Sequence, residues 1–515
     1  MVFLEFLSGY VSTVDLRLGN TVNHLFDTSY AGFVQDDYKV LPGLTLNLGV
    51  RYELEALPYE ENGQLSNYVP SLQKVVLAAT ETPALDQTLS QVAGATANTV
   101  YASQVGFPNT LVHPNYNRVA PRVGFALRPS LNDQLVIRGG YGIFYTGSRM
   151  TVIRTELAGQ FPFSEVLSCG AGTIETSLPD CNGKNPKFST VNGYDPNAPS
   201  SYVQSYNLTV ERELPKGLAI ELGYTGSKGT HIGWQVDINQ ANPYYTFTQY
   251  GSYTMPGCTT SSTSLCYARP NSNFSTIKQF IFNAYSNYNA GTVTLRKRFE
   301  HGLLFRVNFT YAKSLDLNSG LNYAGNGGYQ GVQDTDNQNL MYGRSDADRK
   351  FVLNGNFVYM LPFHRNIFVS GWETAGSMQA DSGLPLTPQL NSPNSDTGFA
   401  TLPNRVCNGA LAHPSVNEWF NTACFPQASQ TYPNFFGNSG RNIITGPKLV
   451  VIDLSLSRNF RITEKTKVQF RGEMFNVPNH PNFATPNDAL DQANVGSITS
   501  AKDPRVIQIG GKYQF

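Results

Sequence analysis

Charged side chains are scarce in this chain. Asp, Glu, Lys and Arg make up 14% of the 515 residues, and the 37 basic side chains balance the 37 acidic ones. Because soluble domains carry roughly 25% charged residues, an ordinary water-exposed surface is not expected. The zero net charge gives no indication of a nucleic-acid partner or of an anionic membrane surface as a binding target.

Long apolar runs are also absent. No stretch of about 18 consecutive apolar residues occurs, which excludes a transmembrane helix. The mean hydropathy of -0.27 is typical of neither a helical membrane protein nor a disordered one. The first residues, MVFLEFLSGY, lack the basic region of a secretory signal, and Glu5 interrupts their short apolar run. If the protein is exported, we expect its true amino terminus to lie upstream of Met1.

Motifs for catalysis and metal binding are missing too. The 7 His residues are scattered, and neither HExxH nor CxxC occurs. His231 and Asp237 come nearest to a catalytic pair, but no Ser/His/Asp arrangement can be argued. We therefore expect no enzyme, no cofactor and no metal site. Gly226, Gly229 and Gly233 lack the strand–helix context of a phosphate loop, which favours crowded turns at a rim.

One acidic segment, residues 334–348, could supply oxygen ligands to calcium. It lacks the spacing and the closing Glu of an EF-hand, so we interpret it as turn and strand-entry residues. A second segment, 243–254, is rich in Tyr; it either stacks on sugars or apolar ligands, or packs against neighbouring loops. The acidic segment contains Asp334, Asp336, Asn337, Asp346 and Asp348.

Alternating apolar and polar residues are what the chain has in abundance. In residues 44–54 every second side chain is apolar, while Arg51 and Glu53 lie on the opposite face. This period of two predicts a strand. Together with the last ten residues, about 13 such strands are predicted. They pair across short turns as 30–40 with 44–54, 118–128 with 134–145, 202–214 with 217–226, 288–299 with 303–313, 351–361 with 366–378, and 448–460 with 466–476.

Long segments without periodicity alternate with these short turns. Loops beyond about 15 residues are uncommon in compact soluble domains, whereas a transmembrane β-barrel has short turns on the periplasmic side and long loops outside. Residues 1–28 are predicted as a partial strand and an outer loop, and 29–515 as the barrel domain. The predicted extracellular loops are 58–117, 148–200, 234–287, 317–347, 381–447 and 478–502.

The two faces of the predicted strands also indicate a barrel. Charged residues on the polar faces suit a wet or plugged lumen better than a dry sandwich core. They are Arg51, Glu53, Arg138, Glu211, Glu221, Arg306, Arg471 and Glu473. Aromatic residues near the strand ends would form interfacial girdles. These are Tyr38, Tyr52, Tyr145, Tyr224, Trp234, Phe299, Tyr311, Trp372, Phe460 and Tyr513.

The six cysteines form three sequence-local pairs in stretches between predicted strands. Disulfides that close loops in an oxidising compartment are the favoured interpretation, and reduced thiols in a cytosolic protein are the alternative. The pairs are Cys169 with Cys181, Cys258 with Cys266, and Cys407 with Cys424.

The chain ends inside an apolar strand, VIQIGGKYQF. This ending resembles the carboxy-terminal assembly signal of outer-membrane barrels, with Gln508, Gly510, Tyr513 and Phe515 at the signal positions. The resemblance implies the barrel-assembly machinery as a partner. The alternative is an ordinary terminal strand of a soluble β-sandwich.

Several stretches resemble the carboxy-terminal barrel of Oar-like TonB-dependent transporters. They include YAGFVQDDYKVLPGLTLNLGVRYE at 30–53, SYNLTVERELPKGLAIELGYTGSKGTHI at 205–232 and DLSLSRNFRITEKTKVQFRGEMFNVPNHPNF at 453–483. The resemblance implies an all-β, antiparallel transmembrane barrel of the large class, with about 13–14 strands in this chain and the plug absent from it. The chain would then be part of a longer protein.

The resemblance implies an outer-membrane transporter or receptor that takes up a ligand captured by its extracellular loops. The partners would be outer-membrane lipid, an unidentified carbohydrate or peptide ligand and, only if a plug is encoded upstream, the TonB complex. Two alternatives stay open: a non-transporting outer-membrane barrel for adhesion or surface interaction, and a soluble all-β carbohydrate-binding protein.

Overall fold

The computed structural model describes most of the chain. The described residues are 10–11, 14–19, 22–90, 95–130, 134–146, 149–169, 172–173, 190–252, 256, 267–320, 332–363, 366, 369–390, 402–427, 436–463 and 466–515. No helix within these ranges has the length and apolar character needed to cross a membrane.

Strands dominate the described residues. In chain order they are β1 Tyr10–Val11, β2 Val14–Gly19, β3 Leu25–Phe26, β4 Ser29–Leu41, β5 Leu44–Glu55, β6 Tyr59–Glu60, β7 Ser66–Val69, β8 Lys74–Leu77, β9 Thr99–Tyr101, β10 Val119–Leu127, β11 Leu135–Tyr145, β12 Ser164–Cys169, β13 Gly172–Thr173, β14 Thr190–Tyr194, β15 Tyr202–Leu214, β16 Leu218–Asp237, β17 Thr276–Glu300, β18 Leu303–Asp316, β19 Gly343–Arg344, β20 Phe351–Met360, β21 Trp372–Asp381, β22 Pro385–Leu386, β23 Ile444–Thr445, β24 Leu449–Arg461, β25 Lys467–Phe475 and β26 Val506–Gln514. Helices cover Pro83–Ser90, Ala95–Asn98, Ala102–Val105, Met150–Glu156 and Pro243–Tyr250, and 3-10 helices cover Thr335–Met341 and Thr422–Cys424.

Thirteen long strands form one antiparallel sheet, which confirms the predicted number. Their order is β26-β25-β24-β21-β20-β18-β17-β16-β15-β11-β10-β5-β4, so each strand lies beside its predecessor in the chain among these thirteen. Two short strands add to this sheet: β14 pairs with β17 and β19 with β18. Among the described residues, β4 pairs only with β5, and β26 pairs only with β25. These two strands are the edges of the sheet.

The register gives the sheet an apolar face and a polar face, because paired residues point the same way. Leu48 pairs with Val123, Val123 with Tyr141, and Tyr141 with Tyr206. Every one of the thirteen strands places large apolar side chains on this face. One example from each strand, in chain order, is given by Val34, Leu48, Val123, Tyr141, Leu208, Leu222, Val293, Phe309, Leu353, Met378, Leu454, Phe470 and Ile509. Charged residues interrupt this face at Asp36, Arg212, Lys228, Lys297, Lys313 and Arg458.

Large apolar side chains on this face are exposed: Leu48 is 43%, Leu222 50% and Val293 42% accessible. A soluble protein buries such a surface, because exposed apolar patches larger than a few hundred Å² are rare. A lipid-facing barrel wall needs it.

The polar face holds all eight charged residues predicted to point inward. Arg138 and Arg296 both reach the carboxylate of Glu211, which lies between them, at 3.2 Å from Arg138. Arg51 pairs with Glu53 at 2.7 Å on the same face. These charges therefore have partners on the sheet, which lowers the cost of placing them on a barrel wall.

Two predicted boundaries are wrong. The strand predicted at 366–378 instead begins at Trp372, because Asn366 accepts hydrogen bonds from the backbone N–H groups of Val369 and Ser370 and forms a turn. The loop predicted at 234–287 is strand at both ends, since β16 continues to Asp237 and β17 begins at Thr276.

Candidate functional site

The long connections between strands are folded together at one end of the sheet. We call the described residues of 56–118, 146–201, 238–275, 317–350, 382–448 and 476–505, with the ends of β16 and β17 that extend among them, the connection layer. β17 has 25 residues, far more than the roughly 9–11 that a transmembrane strand needs. Its length is roughly 80 Å. This hairpin therefore carries the sheet into the connection layer.

Buried apolar residues from two connections, 56–118 and 146–201, meet on the β16–β17 hairpin. The rings of Tyr194 and Phe280 stack with centroids 5.8 Å apart, and Phe282 meets Tyr194 edge-to-face at 5.2 Å. Next to them, β7, β8 and β9 form a small sheet of their own. The connection layer thus has a hydrophobic core, which includes Leu65, Leu111, Ile153, Leu157, Tyr194 and Phe280.

Asn67 joins two connections, 56–118 and 146–201, by hydrogen bonds. Its side chain is fully buried. Its Nδ2 donates to the carbonyls of Leu111 and Tyr194, each at 3.0 Å, and its Oδ1 accepts from the backbone N–H of Tyr194 at 2.8 Å. These bonds satisfy most of the side chain's capacity in the core, so they fix the relative position of segments that are 127 residues apart.

A buried ion-pair network fixes the base of the connection layer. Glu55, at the end of β5, accepts hydrogen bonds from the side chain of Arg118 and from the backbone N–H of Arg149 at 2.8 Å. Arg118 also donates to the carbonyl of Thr146 at 2.7 Å. Glu55 and Arg118 are 8% and 4% exposed, so their charges are screened little by water.

Arg441 holds two further connections together. Its guanidinium, in a side chain 2% exposed, donates to the carboxylate of Asp316, to Asp346 at 3.2 Å and to the carbonyl of Met341 at 3.1 Å. Gln333 adds a second link, because it donates to the carbonyl of Gly437 at 2.8 Å. The connections 317–350 and 382–448 therefore form one body with the hairpin residue Trp234, which belongs to the same core.

A disulfide between Cys407 and Cys424 closes part of the connection 382–448, with Cα atoms 4.9 Å apart. Cys424 is buried in a small core with Phe420, Phe425 and Ile444. This bond agrees with one of the three predicted pairs. The sulfur positions of the other four cysteines, Cys169, Cys181, Cys258 and Cys266, lie outside the described side chains, so those two pairs stay predictions.

The polar face of the sheet contains an open hollow of about 350 Å³ below the connection layer. Its floor is made by glycines on adjacent strands, among them Gly124 and Gly140. Arg122 projects into it and stacks on Phe144, with its guanidinium carbon 4.8 Å from the ring centroid. The amides of Asn47 and Asn207 and the side chains of Gln35 and Ser205 line the rest. Hydrogen-bonding groups beside one aromatic ring are a typical lining for a polar ligand.

Glu156 is a buried acid in the connection layer. Burial raises the pKa of this carboxyl from 4.5 to about 7, although the hydrogen bond from Gln235 and the charge of Lys278 lower it. Gln235 Nε2 donates to its Oε2 at 2.6 Å, and the residue is 4% exposed. The pKa of Glu156 is higher in the folded protein than in the unfolded chain. The contribution of Glu156 to the stability of the connection layer is therefore complete below the unfolded pKa and is lost as the pH rises through about 7.

The acidic segment singled out in the sequence is engaged with protein groups. Asp334 accepts from the backbone N–H of Asp336, Asp346 pairs with Arg441, and Asp348 pairs with Arg344 at 2.8 Å. Asn337 lies within the 3-10 helix Thr335–Met341. These roles agree with the turn interpretation. Among the described residues no group of His, Cys, Asp and Glu is arranged to hold a metal ion.

The other residues singled out in the sequence also have structural positions. Asp237 accepts from the backbone N–H groups of Asn239 and Ile277, and these bonds hold the end of β16. Gly226, Gly229 and Gly233 lie within β16 rather than in rim turns, so that detail of the prediction is wrong. The predicted crowding is present, since a Cβ on Gly233 would lie 2.3 Å from the ring of Phe280.

Trp234 is not a girdle residue as predicted. It is 2% exposed and donates from Nε1 to Asn283 at 2.6 Å in the connection layer. The physical reason is a pair of register shifts between Gly229 and Trp234, which turn the following side chains into the core.

The predicted assembly signal lies on the edge strand β26. Gln508 and Gly510 pair with Glu473 and Arg471 on the polar face, and Tyr513 pairs with Val468 on the apolar face. Phe515, 95% exposed, has its ring centroid 5.9 Å from that of Tyr513. A role in assembly stays a prediction.

In the Tyr-rich segment 243–254, Phe247 and Tyr250 are 45% and 44% exposed on the helix Pro243–Tyr250. Stacking of these rings on a ligand also stays a prediction.

Several solved structures resemble the chain. They include the outer membrane transporter YddB from Escherichia coli, with 11% identity, a TM-score of 0.47 and coverage of 95% of this chain and 45% of that one. The pyoverdine outer membrane receptor FpvA from Pseudomonas aeruginosa PAO1 has 10% identity, a TM-score of 0.43 and coverage of 96% and 43%. The copper transporter OprC has 8% identity, a TM-score of 0.41 and coverage of 95% and 48%. The chain thus spans less than half the length of these structures.

No curated protein matches the sequence. The family described as "Outer membrane beta barrel domain" matches residues 2–508, which is nearly the whole chain. This match agrees with the thirteen-stranded sheet, with its apolar and polar faces, and with the short and long connections at opposite ends. The chain is a member of the outer membrane beta barrel domain family, and its location is the outer membrane.

Proposed function

We propose that this chain forms the wall and the outer layer of a receptor that captures a ligand with its long connections and takes it up through the lumen. The observation that carries the proposal is the connection layer. Six connections, which would cost conformational entropy to order, are folded around shared cores at one end of the sheet. Ordered loops on a rigid scaffold are the usual place for binding residues.

The polar face supports the uptake part of the proposal. In this proposal it faces the lumen, so its hollow beneath the connection layer gives a captured polar ligand a second place to bind. The ion pairs that surround Glu211 keep this wall hydrophilic. Energy from the TonB complex would be needed only if a plug segment is part of the full protein.

Orientation is the first point to test. We expect protease added to intact cells to cleave within the long connections, and protease added only to the periplasm to leave them intact. Cleavage from the periplasm alone would reverse the orientation and remove the basis of ligand capture from outside.

Ligand binding and uptake are the second point. The full protein, purified in detergent, is titrated with panels of oligosaccharides, peptides and ferric chelates while its melting temperature is recorded. A ligand that binds the folded state raises the melting temperature. We expect radiolabelled forms of that ligand to enter wild-type cells and not cells that lack the gene.

An uptake-negative result has a defined meaning. If gene removal leaves ligand uptake unchanged but reduces attachment of cells to surfaces, the proposal is wrong and the adhesion alternative is right.

The variant Arg441→Met breaks the connection layer without removing the barrel. It should abolish ligand binding, while the amount of the variant in the outer membrane is unchanged.

A further inference from the structure

Arg458 is one of the cations on the apolar face of the sheet. Arg458 is on β24, three residues before the end of the strand at Arg461 and the short connection that follows. It pairs in register with Trp372 on one side and with Phe470 on the other, so its side chain is on the apolar face. The spacing puts it roughly 10 Å from the strand end.

Aromatic rings enclose this cation. The guanidinium carbon is 4.3 Å from the ring centroid of Phe460. The rings of Trp372 and Phe470, which come from the strands on either side, meet edge-to-face with centroids 6.2 Å apart. Because these two strands are separated by β24 itself, the rings approach each other across the position of Arg458. The residue is 6% exposed.

The charge of Arg458 is not balanced within the described part of the chain. Its Nε and Nη1 are buried and have no hydrogen-bond partner among the described residues. Lys297 provides the contrast. It lies on the same face near the same end of the sheet, donates to the carbonyl of Lys216 at 2.6 Å and is 3.8 Å from the carboxylate of Glu300. The free energy needed to bury a cation without a counter-charge is larger than the stabilisation from one cation–π contact.

We propose that Arg458 binds the phosphodiester group of a membrane phospholipid. The apolar face contacts lipid in an outer-membrane barrel, and aromatic residues mark the depth of the headgroups. At that depth the abundant anion is the lipid phosphate, whose two non-bridging oxygens accept from guanidinium N–H groups. The rings of Trp372 and Phe470 then pack against the glycerol and acyl chains of the same lipid.

The proposal does not depend on what the connection layer binds, because the site lies at the opposite end of the sheet. It predicts a lipid that stays with the protein during extraction. The removal of a charge-assisted hydrogen bond weakens binding by about tenfold or more. Arg458→Met removes the charge and keeps most of the volume, whereas Arg458→Lys keeps the charge without the planar donor group.

The test counts phospholipids on the full protein extracted in mild detergent, by native mass spectrometry. We expect wild type to retain one phospholipid, Arg458→Met to lose it, and Arg458→Lys to retain it at an intermediate level. The matched control is Arg122→Met, since Arg122 stacks on Phe144 at 4.8 Å in the same way but on the polar face. Equal retention by Arg458→Met and wild type would overturn the proposal.

A second measurement remains informative if Arg458→Met does not assemble. Trp372 is left as the single tryptophan by Trp234→Phe and Trp419→Phe, and the protein is placed in vesicles of dibrominated phosphatidylethanolamine. Bromine near the glycerol backbone should quench Trp372 strongly. An unquenched Trp372, or displacement of the bound lipid by inorganic phosphate alone, would contradict a phospholipid site.

Discussion

The buried arginine of the connection layer gives the sharpest stability prediction. In Arg441→Met the guanidinium is lost, while Asp316, 6% exposed, stays in place without its partner. The removal of one member of a buried ion pair typically costs 3–5 kcal/mol, because the remaining charge is not compensated. Arg441 also donates to the carbonyl of Met341, so we expect a loss of about 4 kcal/mol.

The loss should be confined to the connection layer, because Arg441 makes its bonds to Asp316, Asp346 and their neighbours rather than to the middle of the sheet. Protease resistance measures it directly. When opening is fast relative to cleavage, about 4 kcal/mol raises the cleavage rate roughly 800-fold. The barrel itself should still migrate as a folded species on an unheated gel.

The matched control is Arg405→Met in the same connection. Among the described residues, the Arg405 guanidinium donates only to Cys407 and Asn408, and its backbone N–H donates to Asn438; all three partners are exposed. Its replacement should change the cleavage rate less than threefold, since exposed contacts contribute little. If Arg441→Met behaves like this control, the connections 317–350 and 382–448 are not held together as described.

Three further predictions concern other parts of the molecule. For wild type, the free energy that stabilises the connection layer should fall by about 3 kcal/mol as the pH rises through about 7, and Glu156→Gln should abolish this dependence in protease-resistance profiles. Cys407→Ser with Cys424→Ser should lower the free energy of unfolding of the connection layer by about 3 kcal/mol, measured by denaturant titration of exposed cleavage sites. Leu222→Arg should reduce the amount of assembled barrel, at about 2–4 kcal/mol for a charge at the bilayer midplane, whereas Thr292→Arg on the polar face should not.

Much of the sheet could be predicted from the sequence. The period of two is clear wherever one face of a strand is apolar and the other polar, as in β5 and β18, and thirteen strands follow from it. The extension of β17 could not be predicted in the same way. Phe280 and Phe282 are buried in the connection layer, so the apolar side chains there no longer follow the lipid-facing alternation.

The connection layer could not be predicted because its contacts join distant residues. Asn67 and Tyr194 are 127 residues apart, and Arg441 and Asp316 are 125 apart. No local pattern records such pairs. Composition did indicate long loops, and the cysteine spacing indicated the Cys407–Cys424 disulfide. The alternative of a soluble all-β carbohydrate-binding protein is wrong, because the family is one of outer-membrane barrels.

The sequence analysis does not single out Arg458, although the pattern of β24 contains a signal for it. It replaces an apolar residue in the alternation of β24 and follows Leu454 and Leu456 on the same face. Its neighbours Trp372 and Phe470 come from other strands, so only the register reveals the aromatic enclosure.

A nitroxide scan along β16 in outer membranes tests directly whether the apolar face of the sheet contacts lipid. Single spin labels at Glu221 and Leu222, in a protein whose cysteines are replaced by serine, report access of oxygen and of a water-soluble nickel complex. We expect oxygen to reach position 222 and the nickel complex to reach position 221, with the same period of two on both sides of this pair. Equal access of the nickel complex to both positions would contradict a lipid-facing barrel wall.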